Sequence, residues 1–423
     1  MEQREIIVIG AGLAGLSAAW ELGRLGVDCL VLEAEAEPGG RARSVEQAGA
    51  VFDLGAWTFT HGSPAHSLAM EMGLGQELCS IPATVGRFRK GRLCAGRLDR
   101  PWTLLGGVVP WSRLPQAIKL RLVAGSSQES GDESAAHWAS RRLPQDMAAD
   151  LLSPLAGLYF LQDLDNLSRN ELLGTISYLS KARLMGFKRG MGSWADWLAR
   201  QADVRCGHRA QALEWTESGV SVRCQGMDAV RARGVILALP LPKTLELMKA
   251  QAPEKAAVGN TPYASTLAVR FLLKERWPES ALQVLPPLGR ERVSCGLAME
   301  RAKHPARVPQ GHEALCMYSR PAAAPGLLEM SEQAILDRFT RELAEWLGRK
   351  IEPVAAGVSR WPLAAALCDP GARDRAEQLS QYFKHMEGPV WVAGDFLGSS
   401  SVSGAVETGL AAARAAYERM EDS

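Results

Sequence analysis

Gly10, Gly12 and Gly15 are spaced Gly-x-Gly-x-x-Gly, and Glu33 follows them downstream. Gly10 permits a tight turn, Gly12 has no Cβ to hold a phosphate away from the backbone, and Gly15 lets a helix pack closely on a strand. A diphosphate placed there meets free N–H groups at the positive end of a helix dipole. The Glu33 carboxylate can accept hydrogen bonds from ribose hydroxyls and would repel a 2′-phosphate. The pattern therefore suits FAD or NAD and argues against NADP.

These residues need a strand, a helix and a second strand to hold them. Ile6-Ile7-Val8-Ile9 has the composition of a strand buried on both faces. Leu16 to Leu25 repeats apolar side chains at helical spacing and stops at Gly26, and Cys29-Leu30-Val31-Leu32 predicts a second strand ending at Glu33. The result is a βαβ unit with its ligand chemistry in register. Pro38-Gly39-Gly40-Arg41-Ala42-Arg43 then forms a flexible turn able to bring a guanidinium fork onto phosphate oxygens; alone, it would read as a surface turn with two solvated arginines. Val51 to Trp57 reads as a strand running into a small-residue turn that can lie against a planar ligand.

The whole chain, 423 residues, exceeds one ordinary core and predicts two domains. With 47% hydrophobic residues, 22% charged residues and a net charge of +1, it is globular, and no nucleic-acid partner is expected. The 8 cysteines are scattered, without CxxC pairs or neighbouring histidine clusters, so no metal site is expected and the thiols read as reduced in a cytoplasmic protein. The first strand leaves no room for a signal peptide, and no apolar run reaches membrane-spanning length, so the expectation is a soluble or at most peripheral protein.

Gly-x-Gly-x-x-Gly, Glu33, Gly-Gly-Arg-x-Arg and Asp53-Leu54-Gly55-Ala56 together resemble the N-terminal FAD signature of the flavin amine oxidase superfamily, which includes amine oxidases, protoporphyrinogen oxidase and carotenoid desaturases. The resemblance implies non-covalent FAD, held extended with its isoalloxazine near Gly55, Ala56 and Trp57. It implies an α/β fold: a discontinuous, Rossmann-like FAD-binding domain of the glutathione-reductase type (1–80, 189–260, 355–423) and an α+β substrate domain with a helical subdomain (81–188, 261–354). The cofactor set it assigns is Gly10, Gly12, Leu13, Ala14, Gly15, Glu33, Gly40, Arg41, Arg43, Gly55, Ala56, Trp57, Ala210, Gly394, Asp395, Val402 and Ala405. Ala210 matches a position whose backbone meets adenine and where valine is usual.

Between Glu71 and Lys188, Arg87 to Arg100 is basic and Gly-punctuated, and Trp111 to Val123 predicts an amphipathic helix. That helix suits a membrane surface or a pocket cover, with a packed surface helix as the plainer alternative. Gly125 to Ser134 predicts a mobile loop. Ser153 to Tyr159 with Leu167-Ser168 is similar to the helical substrate domain of protoporphyrinogen oxidases and phytoene desaturases. Val204 to Trp215, Val220 to Cys224 and Val235 to Pro240 predict a β-meander, and Glu329 to Leu347 a long amphipathic helix. Near the C-terminus, Val390 to Ala393 predicts a strand, Asp395 an acceptor for ribityl hydroxyls, and Val402 to Ala405 a helix N-terminus directed at the flavin. This Gly-Asp plus Gly-Ala-Val-Glu-x-Gly combination resembles the superfamily's C-terminal FAD motif.

The flavin itself carries the redox step, and no side chain is assigned as a catalytic base. Simple amine oxidases place a lysine where Leu267 and Ala268 stand here, and an aromatic cage where Ala366 and Ser401 align. Those departures lean towards dehydrogenation of a small-molecule substrate that is largely apolar, by hydride transfer to flavin N5. Oxidation of an amine with oxygen as acceptor is the alternative, and a non-catalytic FAD-binding protein a lesser one.

Overall fold

The computed structural model describes residues 2–126, 131–179, 181–216, 219–248, 261–288 and 292–421. Two seven-stranded sheets dominate it. In the first, Gln3–Ile9 lies between Cys29–Leu32 and Val230–Leu237, parallel to both, and Asp203–Arg205 extends the parallel run beyond Cys29–Leu32. Val390–Val392 joins Val230–Leu237 in parallel, and Gly219–Cys224 and Ala210–Thr216 complete that side antiparallel. The unbroken apolar run of the first strand has a direct cause: Ile6 and Val8 enter one core while Ile7 and Ile9 enter another on the opposite face.

The helix Leu13–Arg24 packs against Val402–Glu421 at very short range, since a Cβ on Gly409 would lie 2.1 Å from the Ala14 carbonyl oxygen. The chain's two ends thus form one helical layer over the first sheet.

The second sheet runs Ala355–Ala366, Tyr263–Leu273, Glu313–Ser319, Ser294–Met299, Gln283–Leu285, Thr84–Arg89, Arg92–Arg97. It is antiparallel except where Gln283–Leu285 meets Thr84–Arg89. Glu332–Leu347 covers one face, burying Ile335, Phe339 and Leu343 after a start capped by Ser331. The other face looks towards the short helix Ser153–Phe160 and a helical cluster formed with Leu114–Ser126, Ala135–Arg142 and Arg169–Leu179.

Several sequence expectations change. The segment 204–215 is two strands: Asp203–Arg205 pairs with Cys29–Leu32, and the meander starts only at Ala210, because partner choice across a sheet is not encoded in a strand's own composition. Ala355–Ala366, grouped above with the cofactor segments, hydrogen-bonds along Tyr263–Leu273 in the second sheet. Gly125 and Ser126 close a helix, and 131–134 are tied down instead of loose: Asp132 accepts from the Ser168 hydroxyl and Ser134 caps Ala135–Arg142. Residues 127–130 lie outside the described set. The helix expected from Trp111 begins at Leu114, behind a 3-10 turn over Trp111–Arg113, and exposes Ile118 and Leu122.

Candidate active site

The glycine turn is built as its spacing requires. Gly10 has φ +104°, and a Cβ there would lie 2.6 Å from the Ala238 carbonyl oxygen. A Cβ on Gly15 would lie 1.9 Å from the Gly10 carbonyl oxygen, so helix and strand touch at backbone distance. Gly12 is different: it caps the helix, carries no side-chain cap, and a Cβ there meets no atom within 4 Å. That Cβ would project into a cavity of about 240 Å³ that Gly12, Leu13 and Ala14 line. A second helix N-terminus, at Val402, opens on the same cavity, with Ser401 accepting from the Gly404 N–H. Two positive helix ends and a Cβ-free cradle suit the diphosphate and the anionic ring of a flavin dinucleotide.

Gly39 and Gly40 reinforce the turn. Gly39 donates to the Ala11 carbonyl at 2.7 Å, and Gly40, at φ +51°, would place a Cβ 3.3 Å from the Gly12 Cα. Arg41 follows and forms a two-point ion pair with Asp395, at 2.8 and 2.9 Å. Burial works against both charges, yet each holds its partner ionised: Asp395 lies below its ordinary value and Arg41 above. Arg41 and Asp395 were expected to contact phosphate and ribityl oxygens separately; here each meets the other first. Gly55 passes so close to Arg41 that a Cβ would lie 2.2 Å from its carbonyl oxygen, and Ala56 donates to that oxygen. Gly55, Ala56, Trp57, Gly394 and Ala405 all line the cavity.

Glu33, Arg43 and Ala210 stand off its lining. The Glu33 carboxylate accepts from the Ala11 N–H at 2.7 Å and the Glu35 N–H at 2.9 Å, bracing the glycine turn. The Arg43 guanidinium lies 5.7 Å from the centre of the Trp361 ring. Ala210 opens the edge strand of the first sheet.

The opposite wall comes from the second sheet and the helix Ser153–Phe160: Leu158, Tyr159, Leu161, Thr266, Tyr318 and Trp361. Ala366 packs into a different core, whereas Trp361, five residues earlier, faces the cavity; the strand's register decides which side chain is presented. Ala268 points towards this wall and Leu267 away from it. Burial pushes the Tyr159 phenol up and the Cys368 thiol up to about 12, which keeps both neutral.

Behind Trp57 lies a feature that the sequence alone did not disclose. Lys303 and Arg307 each bridge Asp53 and Glu300, at 2.6 to 3.1 Å, and all four side chains are fully buried. Burial opposes the Asp53 charge, but Arg307 and Lys303 hold it well below its ordinary value, while burial raises Glu300. Asp53 also accepts from Ser44 and the Met191 N–H. The Lys303 ammonium lies 5.2 Å from the Trp57 ring centre. The cluster thus fixes the strand end from which residues 54–57 enter the cavity.

A glycine-turned helix N-terminus facing a second-sheet wall across one cavity defines a dinucleotide-dependent oxidoreductase site. Residues 13–416 match the family model for flavin containing amine oxidoreductase, and the chain belongs to that family. It is an FAD-dependent oxidoreductase. It is 22% identical to chloroplastic protoporphyrinogen oxidase of Oryza sativa subsp. japonica, over 95% of this chain and 84% of that protein. It is 19% identical to coproporphyrinogen III oxidase of Bacillus subtilis (strain 168), over 97% of each. The fold is shared with cyclohexylamine oxidase from Brevibacterium oxydans IH-35A, at a TM-score of 0.71, 18% identity and 99% coverage of each chain. Among the described residues, no helix is long and apolar enough to cross a membrane, and no group of three or more His, Cys, Asp or Glu side chains could hold a metal ion.

Proposed function

We propose that the chain dehydrogenates a largely apolar organic substrate, in the manner of a protoporphyrinogen oxidase or a desaturase, with non-covalent FAD as hydride acceptor at N5. One observation carries this reading. Among the described residues, the charged side chains lining the cavity are Arg41 and Asp395, and they neutralise each other. The remaining wall is aliphatic, aromatic or hydroxyl-bearing and offers no free ion to a substrate. Burial of an apolar body is then the available source of binding energy.

In this reading a Rossmann-like part formed by 1–80, 189–260 and the C-terminal segment holds FAD, through Gly10, Gly12, Leu13, Ala14, Gly15, Gly40, Gly55, Val402 and Ala405. Glu33 and Ala210 serve the adenosine end. Residues Leu158 to Leu161, Thr266, Tyr318 and Trp361 orient substrate and exclude water.

Amine oxidation is the second reading. Trp57, Tyr159, Tyr318 and Trp361 line one cavity, and aromatic faces can take an ammonium ion. Anaerobic titration of the FAD-loaded protein with protoporphyrinogen, a polyene precursor and a panel of amines separates the readings. Bleaching of the flavin bands by the tetrapyrrole or the polyene supports the first, and bleaching only by amines transfers the assignment to the second. Absence of bleaching by all of them would overturn both readings.

We also assign a peripheral membrane contact to the segment 82–126. It holds nine Lys and Arg residues, of which Arg87 is buried, and one acid in a chain of net charge +1. It also exposes Trp102 and Trp111, 66% each, Ile118 and Leu122. Exposed aromatic and aliphatic side chains set among cations suit an anionic lipid surface.

A further inference from the structure

The cavity's far wall is one face of the second sheet, and its cross-strand pairs can be followed residue by residue. Gln283, Ala298 and Cys316 stand opposite one another on successive strands, and Gly296, Tyr318 and Ala268 form the next row. Three of these positions are glycine or alanine, so the wall is low on both sides of Tyr318. A Cβ on Gly296 would strike Leu158 at 2.7 Å, which fixes how closely the covering helix approaches.

Tyr318 lines the cavity and is 7% exposed. Its hydroxyl has no nitrogen or oxygen partner among the described residues; the Cys316 thiol beside it is a weak one. Gln283 is 1% exposed, and neither its Oε1 nor its Nε2 has a partner among the described residues. Leaving such groups unsatisfied is costly, and a phenylalanine and a leucine would fill the same volumes without that cost. Both polar groups are on the sheet face that forms the wall.

We infer that Tyr318, with Gln283 behind it, is a specificity-determining hydrogen-bonding site that takes a carbonyl-type oxygen on an otherwise apolar substrate. The inference rests on reading this cavity as the substrate's, and it narrows that reading: a pure hydrocarbon polyene leaves the Tyr318 hydroxyl unpaired, whereas a substrate bearing a carbonyl or carboxyl oxygen satisfies it. Tyr318 O–H, on the cavity lining, is the donor to the substrate oxygen; Gln283 stands behind that lining on the same sheet face, and no bond is made or broken at either.

The test uses acetophenone and ethylbenzene, near-isosteres that differ in one carbonyl, titrated into the FAD-loaded protein by calorimetry. Acetophenone is expected to bind about tenfold tighter than ethylbenzene to the wild type. In Tyr318→Phe that preference collapses to within about twofold, while the thermal midpoint does not fall and the oxidised flavin spectrum stays unchanged. Gln283→Leu reduces the preference without abolishing it and serves if the first variant fails to fold. Equal affinities for the wild type, no binding of either probe, or an undiminished preference in Tyr318→Phe would overturn the inference. None of these readings depends on turnover, so a failure of the dehydrogenation reading shows separately, in the flavin titration.

Discussion

Arg41 and Asp395 are 354 residues apart in sequence and joined by two hydrogen bonds, Nη1 to Oδ2 and Nη2 to Oδ1. Arg41 also donates to the Ala364 carbonyl, and the Ala366 N–H reaches Asp395. The pair therefore ties the turn after Gly40 to the Gly394-Asp395 turn near the C-terminus and to the end of a second-sheet strand. It also cancels the charge that would otherwise face the cavity.

Replacing Asp395 by Asn leaves Arg41 partly buried without its counter-ion, and the expected loss of stability is about 2 kcal/mol, below that of a fully enclosed pair. FAD retention through gel filtration should fall as well. Because pairing depresses the Asp395 value below the ordinary 3.8, its contribution is complete above that pH and is lost as pH falls through the depressed value. Melting curves of wild type and variant should differ by a constant amount between roughly pH 5 and 7 and converge in stronger acid. A difference that grows on acidification would contradict the pairing.

Gly12 and Gly15 should fail differently. Gly12 sits at φ −74° and ψ 175°, open to alanine, and its Cβ would enter the cavity without touching protein. Gly12→Ala should leave the apoprotein's melting temperature unchanged and lower FAD occupancy. Gly15→Ala drives a methyl into the Gly10 carbonyl and should cost about 1–3 kcal/mol or more in the apoprotein itself. Equal effects of the two substitutions on apoprotein stability would refute the distinction.

The buried quartet of Asp53, Glu300, Lys303 and Arg307 is balanced in charge. Lys303→Met leaves one carboxylate uncompensated and should destabilise the fold by about 3–5 kcal/mol. Adding Glu300→Gln restores the balance and should recover part of the loss, because Asp53 and Arg307 remain paired at 2.6 Å. Thermal denaturation of the single and double variants decides the point: a double variant less stable than Lys303→Met alone would show that the quartet acts through packing.

The surface assigned to membranes predicts binding to vesicles containing an anionic phospholipid, weakening between low and physiological salt. Trp111→Ser should reduce that binding several-fold at constant salt, by removing exposed apolar surface. Undiminished binding by Trp111→Ser, or equal binding to neutral vesicles, would remove the assignment. So would a concentration-dependent dimer that buries Trp102 and Trp111.

The βαβ unit, the glycine turn and the C-terminal helix were legible because their determinants are local: an apolar strand, helical spacing, and glycines at fixed offsets that only a tight turn explains. The same reasoning pointed to the two helix N-termini, at Gly12 and Val402, that open on one cavity. It could not say that Glu33 would brace the glycine turn, that Arg41 would meet Asp395, or that Trp361 and not Ala366 would face the cavity. Each of those depends on which strands pair and in what register, and neighbouring residues along a chain carry little of that information.

By itself, then, the amino-acid sequence determined a dinucleotide-binding βαβ turn, since close backbone approach to a diphosphate demands particular residues at particular spacings, and the resemblance to a known family narrowed the dinucleotide to FAD. Only the tertiary structure decided the cavity wall opposite the glycine turn. Gln283, Gly296, Tyr318, Ala268 and Trp361 come from separate strands, and these positions share one face because cross-strand pairing in the second sheet aligns them. The buried quartet behind Trp57 has the same origin: Glu300, Lys303 and Arg307 are near neighbours in sequence, but Asp53, 250 residues from Lys303, joins them only through the tertiary fold.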